Sequence, residues 1–330
     1  MTINWGIAAT GKMAEAFVPD FEHVEGAEVV AVGSRREESA RAFAQRHGIA
    51  RAHGSYRALV EDPGVDVVYI ATPHPQHAAL ARAAIEAGKA VLVEKAFTAT
   101  LAGAQEVVAL ARQRGGFCME AMWTRFQPVV ATARELVAAG EIGEVLMVQA
   151  DLGAYRSFDP DDRLFDPALG GGATLDLGVY PISIAQHFLG DPDLVHATGR
   201  RFANGADASV NILMSYDDGR SASVVVSLES ESGGRAVVFG TKGSLELAPR
   251  FHHPTTLIVR RNGQAAEELE AGAKGRGYSH EIDEVNRCLS EGRTESSVMP
   301  LADTLAVQAV MQQTLEQLGI TPSEDAGFVV

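Results

Sequence analysis

The 330-residue chain has only two cysteines, Cys118 and Cys288. Neither lies in a CxxC pair or at Cys/His ligand spacing, so there is no disulfide framework and no thiol metal motif; both read as buried free thiols of a reducing compartment, which makes a cytoplasmic protein the expectation. No block of Lys and Arg offsets the formal charge of -15. Phosphate backbones and anionic headgroups are repelled by such a chain, which argues against nucleic-acid and membrane partners. No apolar run is long enough to span a bilayer. The opening MTINWGIAAT lacks the positive n-region of a signal peptide and reads as a strand. There is no internal repeat and no low-complexity stretch. His252 and His253 in RFHHPTT have no carboxylates near them at ligand spacing, so they read as a surface pair and no metal site is expected. An anionic cofactor meets the same unfavourable field as a nucleic acid. A site for one therefore requires basic residues close to its phosphates.

With 46% hydrophobic residues, the length suffices for two cores, and two domains are expected, residues 1–121 and 122–330. The first alternates short apolar runs, Ile3 to Ala8, Glu28 to Val32, Val65 to Ala71, Val91 to Glu94 and Phe117 to Glu120, with helical patterns. This predicts an α/β, Rossmann-type doubly wound parallel sheet. Gly48 and Gly88 fit helix C-terminal caps, and Asp62, Pro63 and Gly64 mark a turn. Beyond Ala121 come a helix in VVATARELVAAG, a strand near EVLMVQADL, the loop from Tyr155 to Gly172 and a helix over Thr174 to Phe188. Strand-like runs such as SVNILMSY and SASVVVSLES follow, separated by the turns DDGR and TKGS, and two helices, roughly Ser279–Glu291 and Ala302–Leu318, come before a tail without periodicity. The pattern predicts a C-terminal α+β domain with a large, open, mainly antiparallel sheet.

Chemistry enters where the first strand runs into ATGKMA. Ala9, Gly11 and Ala14 fill the three positions of the dinucleotide fingerprint, with Gly11, Lys12 and Met13 forming the strand-to-helix turn; a plain Gly turn is the competing reading. At the end of the second strand, where NAD-binding domains usually place an acid for the ribose, stand Ser34, Arg35 and Arg36. One hydroxyl and two guanidinium groups suit a 2'-phosphate and supply the missing positive charge. The alternative is the charged first turn of a solvated helix, although basic residues there oppose the macrodipole. NADP is the expected cofactor; NAD stays open, because arginines also stack on adenine.

Three segments taken together, IATPHPQH, VLVEKAF and GGGATLDLGVYP, resemble the glucose-fructose oxidoreductase / inositol dehydrogenase (Gfo/Idh/MocA) family. GSYRALVEDPGVDVVYIATPHPQH, MEAMWTRFQP, DLGVY and FGTKGSLEL, in order along the whole chain, are similar to its branch of dimeric trans-dihydrodiol dehydrogenases and NADP-dependent D-xylose dehydrogenases. The resemblance implies that Lys95 is catalytic with Asp176 and Tyr180, and that Thr72, Pro73, His74, His77, Glu94 and Lys95 lie along the cofactor. His77 alone also reads as a polar residue at a helix start. Asp176 and Tyr180 are four apart in a helical pattern, so their side chains share a face. A tyrosine beside an ammonium can accept the proton that a hydroxyl substrate loses with its hydride. Tyr180 is accordingly assigned as general acid/base, Lys95 as the group holding tyrosinate and substrate oxygen, and Asp176 as the orienter of a second hydroxyl. Lys95 as proton carrier is the rival assignment. Tyr180 replaces the His of inositol dehydrogenase-like members, and Ala96 stands where most members have proline after a cis peptide. A cis bond before alanine costs roughly 2.5–4 kcal/mol, which argues for a trans bond here.

Trp123, Arg125 and Phe126 read equally as walls of the substrate cavity and as an interdomain aromatic cluster with Arg stacked on it. The implied reaction is hydride transfer between a nicotinamide and a sugar or cyclic trans-diol carbon. An inactive dinucleotide-sensing regulator of the same fold and an oxidoreductase acting on other carbonyls remain as alternatives. The alternating run Val210, Ile212, Met214 and Tyr216 needs a covering surface, and the resemblance implies a homodimer packed sheet to sheet.

Overall fold

A computed structural model describes residues 2–325, 327, 328 and 330; residue 1 and residues 326 and 329 of the tail lie outside the described residues. The chain divides into two compact units, one of residues 1–122, 274–304 and 324–330, the other of residues 123–273 and 305–323.

In the first unit β1 (Ile3–Ala8), α1 (Lys12–Phe17), β2 (Ala27–Gly33), α2 (Glu37–His47), β3 (Arg51–His53), α3 (Tyr56–Val60), β4 (Val67–Ile70), α4 (His74–Glu86), β5 (Ala90–Glu94), α5 (Leu101–Arg114) and β6 (Cys118–Ala121) alternate along the chain. The strands are all parallel in the order β3-β2-β1-β4-β5-β6, the doubly wound Rossmann arrangement. β4, β5 and β6 are buried throughout, as strands covered on both faces must be, which is why they read as largely apolar runs, broken by Glu94 and Glu120. Helix ends follow local chemistry. Ser55 and Thr100 cap α3 and α5 by accepting from Ala58 and Gly103 N–H groups, and Gly48 closes α2 in the left-handed conformation, φ 69°. The strand order reverses beside β1, and in such sheets ligands bind beyond the carboxyl ends of the strands at that switch.

The second unit contains α6 (Pro128–Ala138), β7 (Val145–Gly153), α7 (Val179–Leu189), β8 (Leu194–Arg201), β9 (Asp207–Ser215), β10 (Ser221–Ser227), β11 (Ala236–Gly240), β12 (Gly243–Leu247), β13 (Thr256–Arg261) and β14 (Glu267–Glu270). Its eight strands run in the order β14-β13-β12-β11-β7-β10-β9-β8, with β7 and β10 parallel and the other pairs antiparallel. Val210, Ile212, Met214 and Tyr216 are buried. The chain itself covers the apolar side that the alternation had left in need of a surface. The opposite face presents Leu194, Leu213 and Val225, which are 64%, 47% and 42% exposed. No described helix is long and apolar enough to cross a membrane.

Two further helices follow, α8 (Ser279–Ser290) and α9 (Leu301–Gln317). α8 belongs to the first unit. The Asp20 carboxylate accepts the N–H groups of Arg276, Tyr278 and Ser279 where the chain enters α8. Glu281 on its first turn is fully buried, with neither carboxyl oxygen hydrogen-bonded among the described residues.

Candidate active site

In the first unit, the turn after β1 carries a backbone anomaly. Ala9 has φ 140°, a conformation normally left to glycine, at the first fingerprint position. Gly11 is the N-cap of α1, and a side chain added there would meet nothing within 4 Å, so open space lies over the turn. Lys12 is exposed and Met13 half-buried beside it. At the end of β2, Ser34 is buried and accepts the Arg36 N–H at 3.4 Å. Arg35 and Arg36 are exposed. They are not the first turn of a helix: Arg36 is the extended N-cap of α2, and that first turn is acidic, with Glu37 and Glu38. Glu37 pairs with Arg41 at 2.5 Å, and no described carboxylate neutralises the two arginines. Their loop therefore offers an anion two uncommitted guanidinium groups.

At the end of β4, Thr72 is 7% exposed and its hydroxyl has no hydrogen-bond partner among the described residues. A buried orphan hydroxyl is what a bound polar group would satisfy. Pro73 is the N-cap of α4, and His74 and His77 are buried in its first turn. The His77 ring nitrogens lie 2.6 Å from the Thr72 carbonyl and 3.1 Å from the Ala96 carbonyl, so this ring ties together the ends of β4 and β5. The Lys95–Ala96 peptide is cis, not the trans bond expected before alanine, and stands between fixed neighbours: the Ala96 carbonyl faces His77, and the Phe97 N–H donates to Glu120. Lys95 is half-buried. Glu94 is 5% exposed and accepts the Tyr69 hydroxyl at 2.5 Å, while Tyr69 stacks on Phe17 at 3.8 Å. Burial first, and then the Glu94 charge, push the Tyr69 hydroxyl well above the ordinary tyrosine range. Glu94 is thus a core residue as much as an edge residue. A separate cavity of about 570 Å³, lined by Ile3, Asp66, Lys89, Arg114 and Phe117 among others, opens at the amino ends of the strands, away from this edge.

In the second unit, Asp176 and Tyr180 lie on consecutive parts of one helical stretch. Thr174–Gly178 is a π-helical turn, which continues as α7 from Val179. Such turns are frequent at functional sites. The Asp176 side chain is 21% exposed, with Arg163 of the preceding loop 3.4 Å away. Tyr180 is 9% exposed. Asp207, 2% exposed on β9, holds the start of the turn by accepting the Thr174 N–H at 2.5 Å and the Thr174 hydroxyl at 2.7 Å. Burial raises the Asp207 carboxyl above its usual range, although the Thr174 bonds pull it down.

Arg125 is held inside the second unit, and one expectation, for the two histidines, needs correction. Arg125 is 1% exposed and donates to the Ser183 hydroxyl at 2.9 Å, the Ser183 carbonyl at 3.1 Å and the Gln186 side chain at 2.5 Å. These bonds brace α7. Trp123 and Phe126, on either side of it, are half-buried. His252 and His253 are not a surface pair: both are half-buried, and they pack on Trp123, with His252 also against Tyr180. Their local sequence gave no sign of this, because the ring partners lie more than seventy residues away. Asp207 was missed because its partner Thr174 lies 33 residues away, outside any local pattern.

Residues 3–122 match the oxidoreductase family with an NAD-binding Rossmann fold, and residues 130–246 match the GFO/IDH/MocA C-terminal domain. The chain belongs to the Gfo/Idh/MocA oxidoreductase family. This Gfo/Idh/MocA protein is 36% identical over 339 residues to trans-1,2-dihydrobenzene-1,2-diol dehydrogenase of Bos taurus, covering 98% of this chain and 99% of that one. The Homo sapiens protein of the same name is 36% identical over 340 residues, with the same coverage. Among solved structures, KijD10, a 3-ketoreductase from Actinomadura kijaniata in complex with NADP and TDP-benzene, superposes with a TM-score of 0.84 at 26% identity, over 96% of this chain and 98% of that chain.

Proposed function

We propose that this protein is an NADP(H)-dependent dehydrogenase of sugars or cyclic trans-diols. The observation that carries this reading is the pairing of Asp176 and Tyr180 on one anchored, partly exposed helical turn. The names of the trans-dihydrodiol dehydrogenase relatives support the substrate class. Gly11, Lys12 and Met13 would hold the pyrophosphate, Ser34, Arg35 and Arg36 the 2'-phosphate, and Thr72, Pro73, His74, Glu94 and Lys95 the nicotinamide half. The orphan Thr72 hydroxyl and the uncommitted arginines fit such a group. His77 acts there through the two carbonyls it joins. The nicotinamide, when bound, accepts or donates the hydride. The chain's own task is proton handling and orientation. Tyr180 exchanges the proton of the reacting hydroxyl, Asp176 accepts a neighbouring hydroxyl and fixes the ring, and the Lys95 ammonium favours negative charge on the reacting oxygen. Trp123 and Phe126 wall the substrate.

The free buried cysteines support a reducing, cytoplasmic setting. The exposed Leu194, Leu213 and Val225 of the open sheet face support a homodimer; a monomer in light scattering at micromolar concentration counts against it. Differential scanning fluorimetry against NADPH and NADH, followed by turnover with D-xylose, D-glucose and trans-1,2-cyclohexanediol, tests the assignment. A larger shift with NADPH and turnover of one polyol is expected. A shift without turnover on any polyol moves the reading to a dinucleotide sensor.

A further inference from the structure

The segment 250–253 packs two histidine rings near the tyrosine to which the proposed reaction assigns the proton. Its backbone is pinned at several points. Phe251 is wholly buried and its N–H donates to the Gly234 carbonyl at 2.9 Å. Arg250 turns the chain in the left-handed conformation, φ 63°, and its carbonyl accepts the His253 N–H at 2.9 Å. The buried Thr124 hydroxyl donates to the His252 carbonyl at 2.8 Å. From that fixed backbone the His252 ring lies 5.2 Å from the Tyr180 ring, tilted by 37°. It is 4.5 Å from His253 and 6.1 Å from Trp123. Burial holds His253 below the ordinary imidazole range, and the Arg250 charge lowers it further.

A phenol on a helix is fixed at its Cα, but its oxygen sweeps several ångströms unless something stops the ring. We propose that His252 is a positioning residue whose ring is that stop, setting the direction in which the Tyr180 hydroxyl meets the substrate. The proposal rests on the reading of Tyr180 as the proton-exchanging residue. Its basis is the packing of one pinned ring on another, so a ring is what the position requires. Misplacing a reacting group by about 1 Å costs up to about 100-fold in rate, which sets the size of the effect.

The test is steady-state kinetics of the full-length enzyme with NADP and whichever of D-xylose and trans-1,2-cyclohexanediol it turns over. His252→Gln and His252→Ala should each lower kcat by roughly 10- to 100-fold while KM changes by less than about 3-fold. His252→Phe, which keeps a ring, should restore kcat to within about 3-fold of wild type. In a Tyr180→Phe background, adding His252→Gln should change the residual rate by less than about 2-fold, because no phenol is left to position. If His252→Ala does not fold, the Gln and Phe variants carry the test. The proposal is overturned if His252→Gln keeps wild-type kcat, if His252→Phe is as slow as His252→Gln, or if the double variant is additive. A fully active Tyr180→Phe removes the reading of Tyr180 together with the proposal. A slow Tyr180→Phe beside an unaffected His252→Gln removes the proposal alone.

Discussion

Asp207 has no counterpart in the reaction chemistry, yet its removal should be among the most damaging single changes in the second unit. Its carboxylate is the partner of two Thr174 donors, and Thr174 is itself fully buried. Asp207→Ala leaves both donors without these bonds in a site that water does not reach freely. Hydrogen bonds to a charged group contribute about 1.5–3 kcal/mol each. The raised carboxyl pKa shows that burial of Asp207 opposes part of that gain. The net loss is therefore about 3 kcal/mol, at the low end of the two bonds combined. For a unit of this size each kcal/mol moves the melting temperature by about 2–4 °C, so a fall of roughly 6–12 °C is expected. Asp207→Asn keeps one acceptor and should fall between the two. Because Asp176 lies two residues beyond Thr174, residual turnover at a temperature where Asp207→Ala is still folded should drop as well, while NADPH affinity, a property of the first unit, stays unchanged. Thermal unfolding by circular dichroism and NADPH titration measure both. An Asp207→Ala protein melting within about 1 °C of wild type, with full turnover, refutes the reasoning.

Three other outcomes follow from the first unit. Ala9→Gly should raise stability by about 1 kcal/mol in denaturant titration, because relief of a φ of 140° is worth about 1–3 kcal/mol against about 0.4–1 kcal/mol of added unfolded-state entropy; no gain would mean that the turn is not strained. Glu281 is pushed well above the ordinary carboxyl range by burial first, and then by Glu94 and Asp20. Its folded-state proton favours the native state below the unfolded value of 4.5, and that contribution is lost as pH rises through the raised folded value, with a slope of up to about 1.4 kcal/mol per pH unit. Glu281→Gln should flatten the decline in stability that sets in as pH rises past 4.5; an unchanged pH dependence would remove Glu281 as its source. Arg36→Ala should weaken NADPH binding by about 10-fold and NADH binding by less than about 3-fold, since one guanidinium bond to phosphate is lost; equal weakening of both would place Arg36 away from the 2'-phosphate.

The parallel sheet was legible because strands covered on both faces are mostly apolar, and Ile3–Ala8, Val67–Ile70 and Ala90–Glu94 are so apart from Asn4 and Glu94. β3, three half-buried residues with polar ends, carried no such pattern and was not read. The turn residues Gly11, Ser34, Arg35 and Arg36 stood out because chemistry and local order coincide there. Ala9 occupied a fingerprint position, but its conformation is set by the turn around it and cannot be seen in its identity. Arg125 illustrates the limit for site residues. A guanidinium amid aromatics reads alike as a cavity wall and as a stacked cluster, and its bonds to Ser183 and Gln186, some sixty residues on, have no local signal. His252, Asp207 and the return of α8 to the first unit depend on pairings across long stretches of chain, for which a local pattern holds no signal.

The measurement that bears most directly on the central claim is absorbance at the nicotinamide band as wild type and Lys95→Met are each mixed with NADP and D-xylose, D-glucose or trans-1,2-cyclohexanediol. Wild type should reduce NADP with one of them. Lys95→Met should bind NADPH within about 10-fold of wild type, because the proposed phosphate contacts remain, and turn over at least about 100-fold more slowly. Full activity at unchanged cofactor affinity in Lys95→Met would contradict the account.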